Sequence, residues 1–489
     1  MPDVLASSNQ PAESLTARVR SAVIWRSGSQ IAAQLVQWAA TFLVIRILSP
    51  SDYGLFAMTG VVLAFLNMLN GYGLAGGIVR QETVSRQEIR QLFGMLLLLN
   101  GSLALLQVAL APLAAAYYRQ PEVATLLRAQ ALLYIPTPFI GVAYAILSRE
   151  LDYRGQAKVN MAAAVASAAA ALAGALAGLG VWTLVVAPMV LFGVRAFGMT
   201  IAARSLMRPS FDFRGTGTLA RFGATMATGQ LFWFLQSQAD VFVGGRVLTP
   251  HELGIYTTSL FLVTIFVAKF VPALNEVAFS AYARIQHDRA ATAAAFAKAV
   301  RVIMVVGLPF YAGLAVTAEP LVAAVLGPHW VEAAPVVRVL ACAMPLMTLQ
   351  VLLAPACDAA GRPGVGVGNG IAGALILGSG FLVGAQWGMM GLAWAWLAAY
   401  PLYLVFSLWR ALPVIGTAPD QLVAAIAPPA LAAVAMAAIV LLVDTALPPL
   451  APPLHLATLV AVGAASYAAW LLLFARDMVT ELLALVRGR

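Results

Sequence analysis

The chain is 489 residues long, 62% hydrophobic and only 10% charged, with a mean hydropathy of +0.88. A water-soluble protein runs near ~45–50% apolar and ~25% charged, whereas repeated apolar stretches of about 20 residues mark helices that cross a bilayer, so a soluble enzyme or regulator is excluded. The net charge of +9 would suggest nucleic acid as a partner for a soluble chain, but the basic residues lie in short segments between apolar runs, and no nucleic-acid partner is expected.

Residues 1–20 (MPDVLASSNQPAESLTARVR) are polar and lack the apolar middle of a signal peptide, which reads as a short cytoplasmic tail. From there, apolar runs broken by polar or Pro/Gly clusters predict fourteen spans, at about 24–47, 54–78, 91–117, 127–148, 158–179, 181–203, 219–247, 254–280, 300–326, 335–357, 365–384, 388–409, 421–443 and 454–475. The expected fold class is an all-α polytopic membrane protein. Spans 1 to 6 make an N-lobe (21–203), a basic linker covers 204–218, and spans 7 to 12 make a C-lobe (219–410). Two more spans follow within 411–475, and 476–489 is a second cytoplasmic tail.

With the N-terminus inside, one side of the membrane collects Arg18, Arg86, Arg90, Arg154, Arg204, Arg208, Arg284, Arg362, Arg410 and Arg476 among others, while the opposite loops hold little beyond Arg119. This asymmetry fits the positive-inside rule and puts both termini in the cytoplasm of a bacterial cell, with the chain in the inner membrane. Every loop is short, which leaves no room for a soluble catalytic domain, and enzymatic activity is not expected. Cys342 and Cys357 lie in apolar sequence, and His251, His287, His329 and His455 are scattered singly. Neither a disulfide scaffold nor metal-ligand spacing is present, so no metal or cofactor is expected.

One phrase occurs twice. IRILSPSDYGLF (45–56) and GRVLTPHELGIY (245–256) align at an offset of 200 residues, and Gln30 and Leu35 fall on Gln230 and Leu235 at the same offset. A weaker echo pairs Arg128 with Arg338, each opening an apolar run with a proline, Pro136 and Pro345. These point to an internal duplication of six spans each. Six is even, so the copies enter the membrane facing the same way, and a pseudo-two-fold along the membrane normal is expected. Locally the phrase spells a helix restart: Ser49 and Thr249 as N-caps, Pro50 and Pro250 at the first helical position, Asp52 and Glu252 at the third.

Ionisable groups inside spans are costly unless they face water or a partner. Span 1 carries Arg26, Gln30, Gln34 and Gln37, which fall within an ~80° arc of one helix face. Span 7 carries Gln230, Ser237 and Asp240 within a similar arc. Two striped first helices facing a central cleft would explain both. Arg46, Arg246, Arg195 in span 6, Lys269 and Glu276 in span 8, and Asn67 and Asn70 in span 2 complete the set. Arg26, Arg46, Arg195 and Arg246 either snorkel to lipid phosphates or line a cavity. Asp240 and Lys269 form either a structural ion pair or an ion-coupling site. A cavity holding Arg26, Arg46, Arg246 and Lys269 against Asp240 and Glu276 is net positive and suits an anionic, phosphate-bearing substrate.

The chain resembles the Wzx-type polysaccharide flippases of the multidrug/oligosaccharidyl-lipid/polysaccharide exporter superfamily over residues 20–475. The resemblance rests on WRSGSQ (25–30), LSPSDYG (48–54), NGYGLAGGIVRQ (70–81) and SRELDYR (148–154), of which the second is the most specific. It implies two six-helix lobes, two extra C-terminal helices, and alternating access that turns an undecaprenyl-diphosphate-linked oligosaccharide from the inner to the outer leaflet. On that likeness Arg26, Arg46 and Arg246 attract the diphosphate, and Gln30, Gln34 and Gln37 meet sugar hydroxyls. Membrane lipid, a polysaccharide polymerase and a chain-length regulator are the expected partners.

Three other readings compete. A cation-coupled drug exporter of the same superfamily would need a net acidic, aromatic pocket; a polymerase would need a large external loop or clustered acids; and an inert scaffold would leave the polar stripes unexplained. The glycine-rich GRPGVGVGNG (361–370) lacks the Lys and Ser/Thr of a phosphate-binding loop and is expected to serve close helix packing.

Overall fold

A computed structural model describes residues 15–69, 84–150, 153–212, 234–476, 478 and 480. Gln230, Asn70, the segment 70–81, residues 151 and 152, the linker beyond 212, the first half of the seventh span, both extreme tails and the side chain of Arg26 lie outside the described residues. The chain divides into two compact units, 1–234 and 235–489.

In the first unit α1 runs Leu15–Ile47, α2 Pro50–Met68, α3 Arg86–Tyr118, α4 Pro121–Gln130, α5 Thr137–Arg149, α6 Tyr153–Leu176 and α7 Trp182–Ala202. In the second, α8 covers 234–247. It is followed by α9 Pro250–Ile285, α10 Arg289–Val316, α11 Ala333–Val351, α12 Leu353–Ala359, α13 Gly364–Gly384, α14 Gly388–Ile415, α15 Pro419–Ala446 and α16 Pro452–Phe474. Twelve described stretches are long and apolar enough to cross a bilayer. One of them, Gly364–Ile415, is the pair α13 and α14, and the seventh span is described only through α8. The fourteen-helix reading therefore holds.

The repeated phrase closes as its chemistry dictates. The carboxylate of Asp52 accepts the Ser49 N–H at 3.0 Å and its hydroxyl at 2.6 Å, while Ser49 Oγ accepts the Asp52 N–H at 3.3 Å. Thr249 and Glu252 repeat this box at 3.0, 2.9 and 3.2 Å. Ser85 and Glu88 form a third at the head of α3. The Arg128/Arg338 echo diverges. The chain after Arg128 leaves α-geometry at Ala131–Tyr134 and restarts beyond Pro136, whereas α11 passes through Pro345 unbroken.

Within the first unit α1 packs on α6 and α6 on α7, and α3 packs on both α4 and α5. The C-terminal end of α1 buries Val44 and Leu48 against Ala175, with Tyr53 and Leu184 beside them. The start of the inter-lobe linker is docked: Ser210 N–H donates to Arg90 O at 2.9 Å, Arg90 Nε to Arg208 O at 2.9 Å, and Gln91 Nε2 to Asp212 O at 2.7 Å. Within the second unit α13 packs on α14, α11 on α9 and α14, and α10 on α11. The two C-terminal helices join this unit, α15 lying on α10 and α16 on α15, with the Tyr467 hydroxyl donating to Val305 O at 2.8 Å. Large apolar side chains such as Leu105, Trp409, Leu442 and Phe474 are exposed, as lipid-facing residues should be.

Glycines sit where helices touch, although not chiefly in the segment the sequence suggested. A Cβ on Gly364 or Gly366 would meet nothing within 4 Å, and Gly368 faces the Arg410 guanidinium. A close backbone approach lies further along, where a Cβ at Gly384 or Gly391 would run into the other's carbonyl oxygen.

Candidate functional site

The polar residues of the first unit sit on a continuous helix. Gln30 is exposed and Gln34 and Gln37 are half-buried on α1, so the stripe keeps a common face with no break to disperse it. Arg46 is exposed near the end of the same helix, turned roughly 160° from the centre of the stripe at 100° per residue. Arg195, on α7, is half-buried. The first unit thus presents the glutamines together and Arg46 apart from them.

In the second unit Arg246 is half-buried at the end of α8, and Lys269 and Glu276 are exposed on α9. The last two are seven positions apart on an unbroken helix, which puts them on one face about 10 Å apart. Asp240 behaves differently. It is only 1% exposed, and one carboxylate oxygen accepts the Tyr256 hydroxyl at 2.7 Å while the other accepts the Val241 N–H at 2.8 Å. Trp396 Nε1 donates to the same Tyr256 oxygen at 2.8 Å. Asp240 therefore meets the residue level with it in the α8–α9 hairpin. Lys269 lies about 20 Å further along α9 by the helix rise.

From Trp396 an aromatic ladder descends α14. Its ring stacks on Tyr400 at 5.6 Å and 10°, and Tyr400 meets Tyr403 edge-on at 5.5 Å. The Tyr403 hydroxyl accepts from Gln350 Nε2 at 2.7 Å and donates to Gln236 Oε1 at 3.4 Å. Sequence reasoning missed Tyr256, Trp396, Tyr403, Gln350 and Gln236. Gln236 was detectable, one turn before Asp240 on the same face, and so was Gln350 as an amide inside an apolar span. The aromatic residues carried no polar signal that would separate them from core.

Among the described residues no group of three or more His, Cys, Asp or Glu could hold a metal ion, and Cys342 and Cys357 are both free thiols. The arrangement offers hydrogen-bonding amides, cationic side chains and one enclosed acid.

The described residues thus define a polytopic helical membrane chain that carries polar groups on its apolar helices. Its fold is similar to that of the lipid II flippase MurJ in an inward closed conformation, with a TM-score of 0.74 at 12% identity, covering 93% of this chain and all (100%) of that one. An inward-facing multidrug-resistance MATE transporter of the MOP superfamily gives 0.61 at 14% identity, covering 79% of this chain and 96% of that one. A family profile described as polysaccharide biosynthesis protein matches residues 43–335, and the chain belongs to that family. It is 29% identical over 307 residues to the succinoglycan biosynthesis transport protein ExoT of Rhizobium meliloti (63% of this chain, 62% of ExoT). It is 23% identical over 297 residues to the lipopolysaccharide biosynthesis protein WzxC of Escherichia coli (60% of each chain). These matches thus span about three-fifths of either relative. The family match and these relatives concern polysaccharide biosynthesis, ExoT being a transport protein, and the fold is one shared with a lipid II flippase and a MATE transporter.

Proposed function

We propose that the protein carries undecaprenyl-diphosphate-linked oligosaccharide units from the cytoplasmic to the periplasmic leaflet by alternating access, with both termini in the cytoplasm. The observation that carries this reading is the unbroken α1 with Gln30, Gln34 and Gln37 on one face. Amides at membrane depth are tolerated where they meet water or a polar ligand, and a sugar supplies that ligand. Arg26, Arg46 and Arg246 attract the diphosphate, with Arg195 and Lys269 adding positive potential. Guanidinium groups make paired charge-assisted bonds to phosphate oxygens. A succinoglycan biosynthesis transport protein and a lipopolysaccharide biosynthesis protein among the relatives support the same substrate class. A polymerase and a chain-length regulator would act on the product.

The test is deletion of the gene, followed by measurement of lipid-linked oligosaccharide and the leaflet that holds it. Completed units accumulating on the cytoplasmic leaflet, cleared by the intact protein and not by the Arg46→Ala/Arg246→Ala variant, are the expected result. Unchanged lipid-linked sugars and surface polysaccharide would overturn the reading.

The enclosed acid Asp240 favours one addition, an ion-coupling role for it with Glu276. The same acid keeps cation-coupled drug export as the second reading, for which drug susceptibility of the deletion strain is the discriminating assay.

A further inference from the structure

The Gln236–Tyr403–Gln350 triad has a polarity that its neighbours do not consume. Tyr403 OH accepts from Gln350 Nε2 and donates to Gln236 Oε1, which fixes the amide orientation of both glutamines. Gln350 is left with its Oε1 acceptor and one Nε2 N–H, and Gln236 with both Nε2 donors, and no partner occupies these among the described residues. Both side chains are half-buried, whereas Tyr403 is 1% exposed. Neither free amide end is among the fully enclosed unpartnered atoms of the structure, so each opens on accessible space.

Gln350 and Tyr403 lie within the apolar stretches Ala333–Ala359 and Gly364–Ile415, and Gln236 meets Tyr403 from α8. At that depth an unpaired amide facing hydrocarbon is strongly disfavoured, and the accessible space is therefore wet or filled by a polar ligand. Room for the triad depends on Gly373 of α13. A Cβ there would fall 2.8 Å from Tyr403 Cζ and 2.9 Å from Gln236 Oε1.

We infer that this triad is a sugar-hydroxyl subsite of the second unit, with Gln236 donating to one hydroxyl of a vicinal diol and Gln350 accepting from the other; this rests on the lipid-linked oligosaccharide reading above. A donor and an acceptor held on one shared hydroxyl complement a diol, each of whose oxygens both donates and accepts. Tyr403 is the positioning residue that orients the two amides. Nothing in the subsite is charged, so it discriminates the sugar and not the diphosphate.

The test uses the full-length protein in lipid nanodiscs and two probes. One is undecaprenyl diphosphate; the other is the lipid-linked repeat unit extracted from producing cells that lack the transporter. Gln236→Leu, Gln350→Leu and Tyr403→Phe are each expected to weaken binding of the sugar-bearing lipid by roughly tenfold, leaving binding of undecaprenyl diphosphate within about twofold. Should Tyr403→Phe fail to fold, the two glutamine variants carry the same comparison. Variants that keep the parental preference for the sugar-bearing lipid overturn the subsite, and so do variants that lose both lipids equally. A parent protein that binds neither lipid overturns the flippase reading itself and the subsite with it.

Discussion

The hydroxyl of Tyr256 stands between Asp240 Oδ2, to which it donates at 2.7 Å, and Trp396 Nε1, from which it accepts at 2.8 Å. One oxygen atom thereby ties α8, α9 and α14 together in the interior of the second unit. Tyr256→Phe removes the hydroxyl and leaves a buried acceptor and a buried donor without partners, each costing about 1–3 kcal/mol. The expected outcome is a loss of about 2–6 kcal/mol, read as a lower Tm in detergent-solubilised protein. Asp240→Asn retains an oxygen that accepts from Tyr256 and is expected to fall less. Equal stability of Tyr256→Phe and the parent would show that the triad does not hold the helices.

The two capping boxes allow a paired measurement. Ser49→Ala and Thr249→Ala each delete the side chain that accepts the N3 amide, and each is expected to lose about 1 kcal/mol. Both boxes are closed within their own turn, so the double variant should lose the sum. A double variant no worse than either single one would mean that the helix starts are held by something other than their caps.

The exposed Arg338–Glu319 pair calibrates these expectations. Its 2.9 Å contact has side chains 50% and 72% exposed, and solvent screens a pair of that kind to about 0–1 kcal/mol. Arg338→Met should therefore leave Tm nearly unchanged, in contrast to Tyr256→Phe. A large drop would assign Arg338 a packing role through its long aliphatic stem or its bond to Ala315 O.

What the sequence made legible follows the range of the forces involved. Spans could be read because a bilayer leaves the backbone no alternative to a helix once an apolar run is long enough. The boxes at Ser49 and Thr249 could be read because donor, acceptor and proline all lie within four residues. The break after Gln130 was not legible: Pro136 was visible, but whether a proline kinks a span or ends it depends on what packs around it, and Pro345 in α11 went the other way. The stripe of Gln30, Gln34 and Gln37 survives because periodicity on one helix is a local property. The surroundings of Asp240 were hidden because Trp396 comes 140 residues after Tyr256, and only the folded unit sets their rings side by side.

The docking of the linker rests on a glycine, which gives a comparison within one helix. A Cβ at Gly94 would run into Ser210 O, a backbone atom that cannot rotate away, while a Cβ at Gly101 would meet nothing within 4 Å. Both glycines are inside α3, so the intrinsic gain of replacing Gly by Ala, up to about 1 kcal/mol, is the same for each. Gly101→Ala should be neutral or slightly stabilising. Gly94→Ala should push the 208–212 segment off α3 and break the bonds from Arg90 and Gln91, loosening the backbone beside Arg204 and Arg208, whose side chains are already exposed, so that trypsin can cleave there. The expected reading is cleavage near these arginines several-fold faster in Gly94→Ala than in Gly101→Ala or the parent. Equal rates would mean that the linker is held by contacts beyond α3, and the docking at Arg90 would lose its claim to position it.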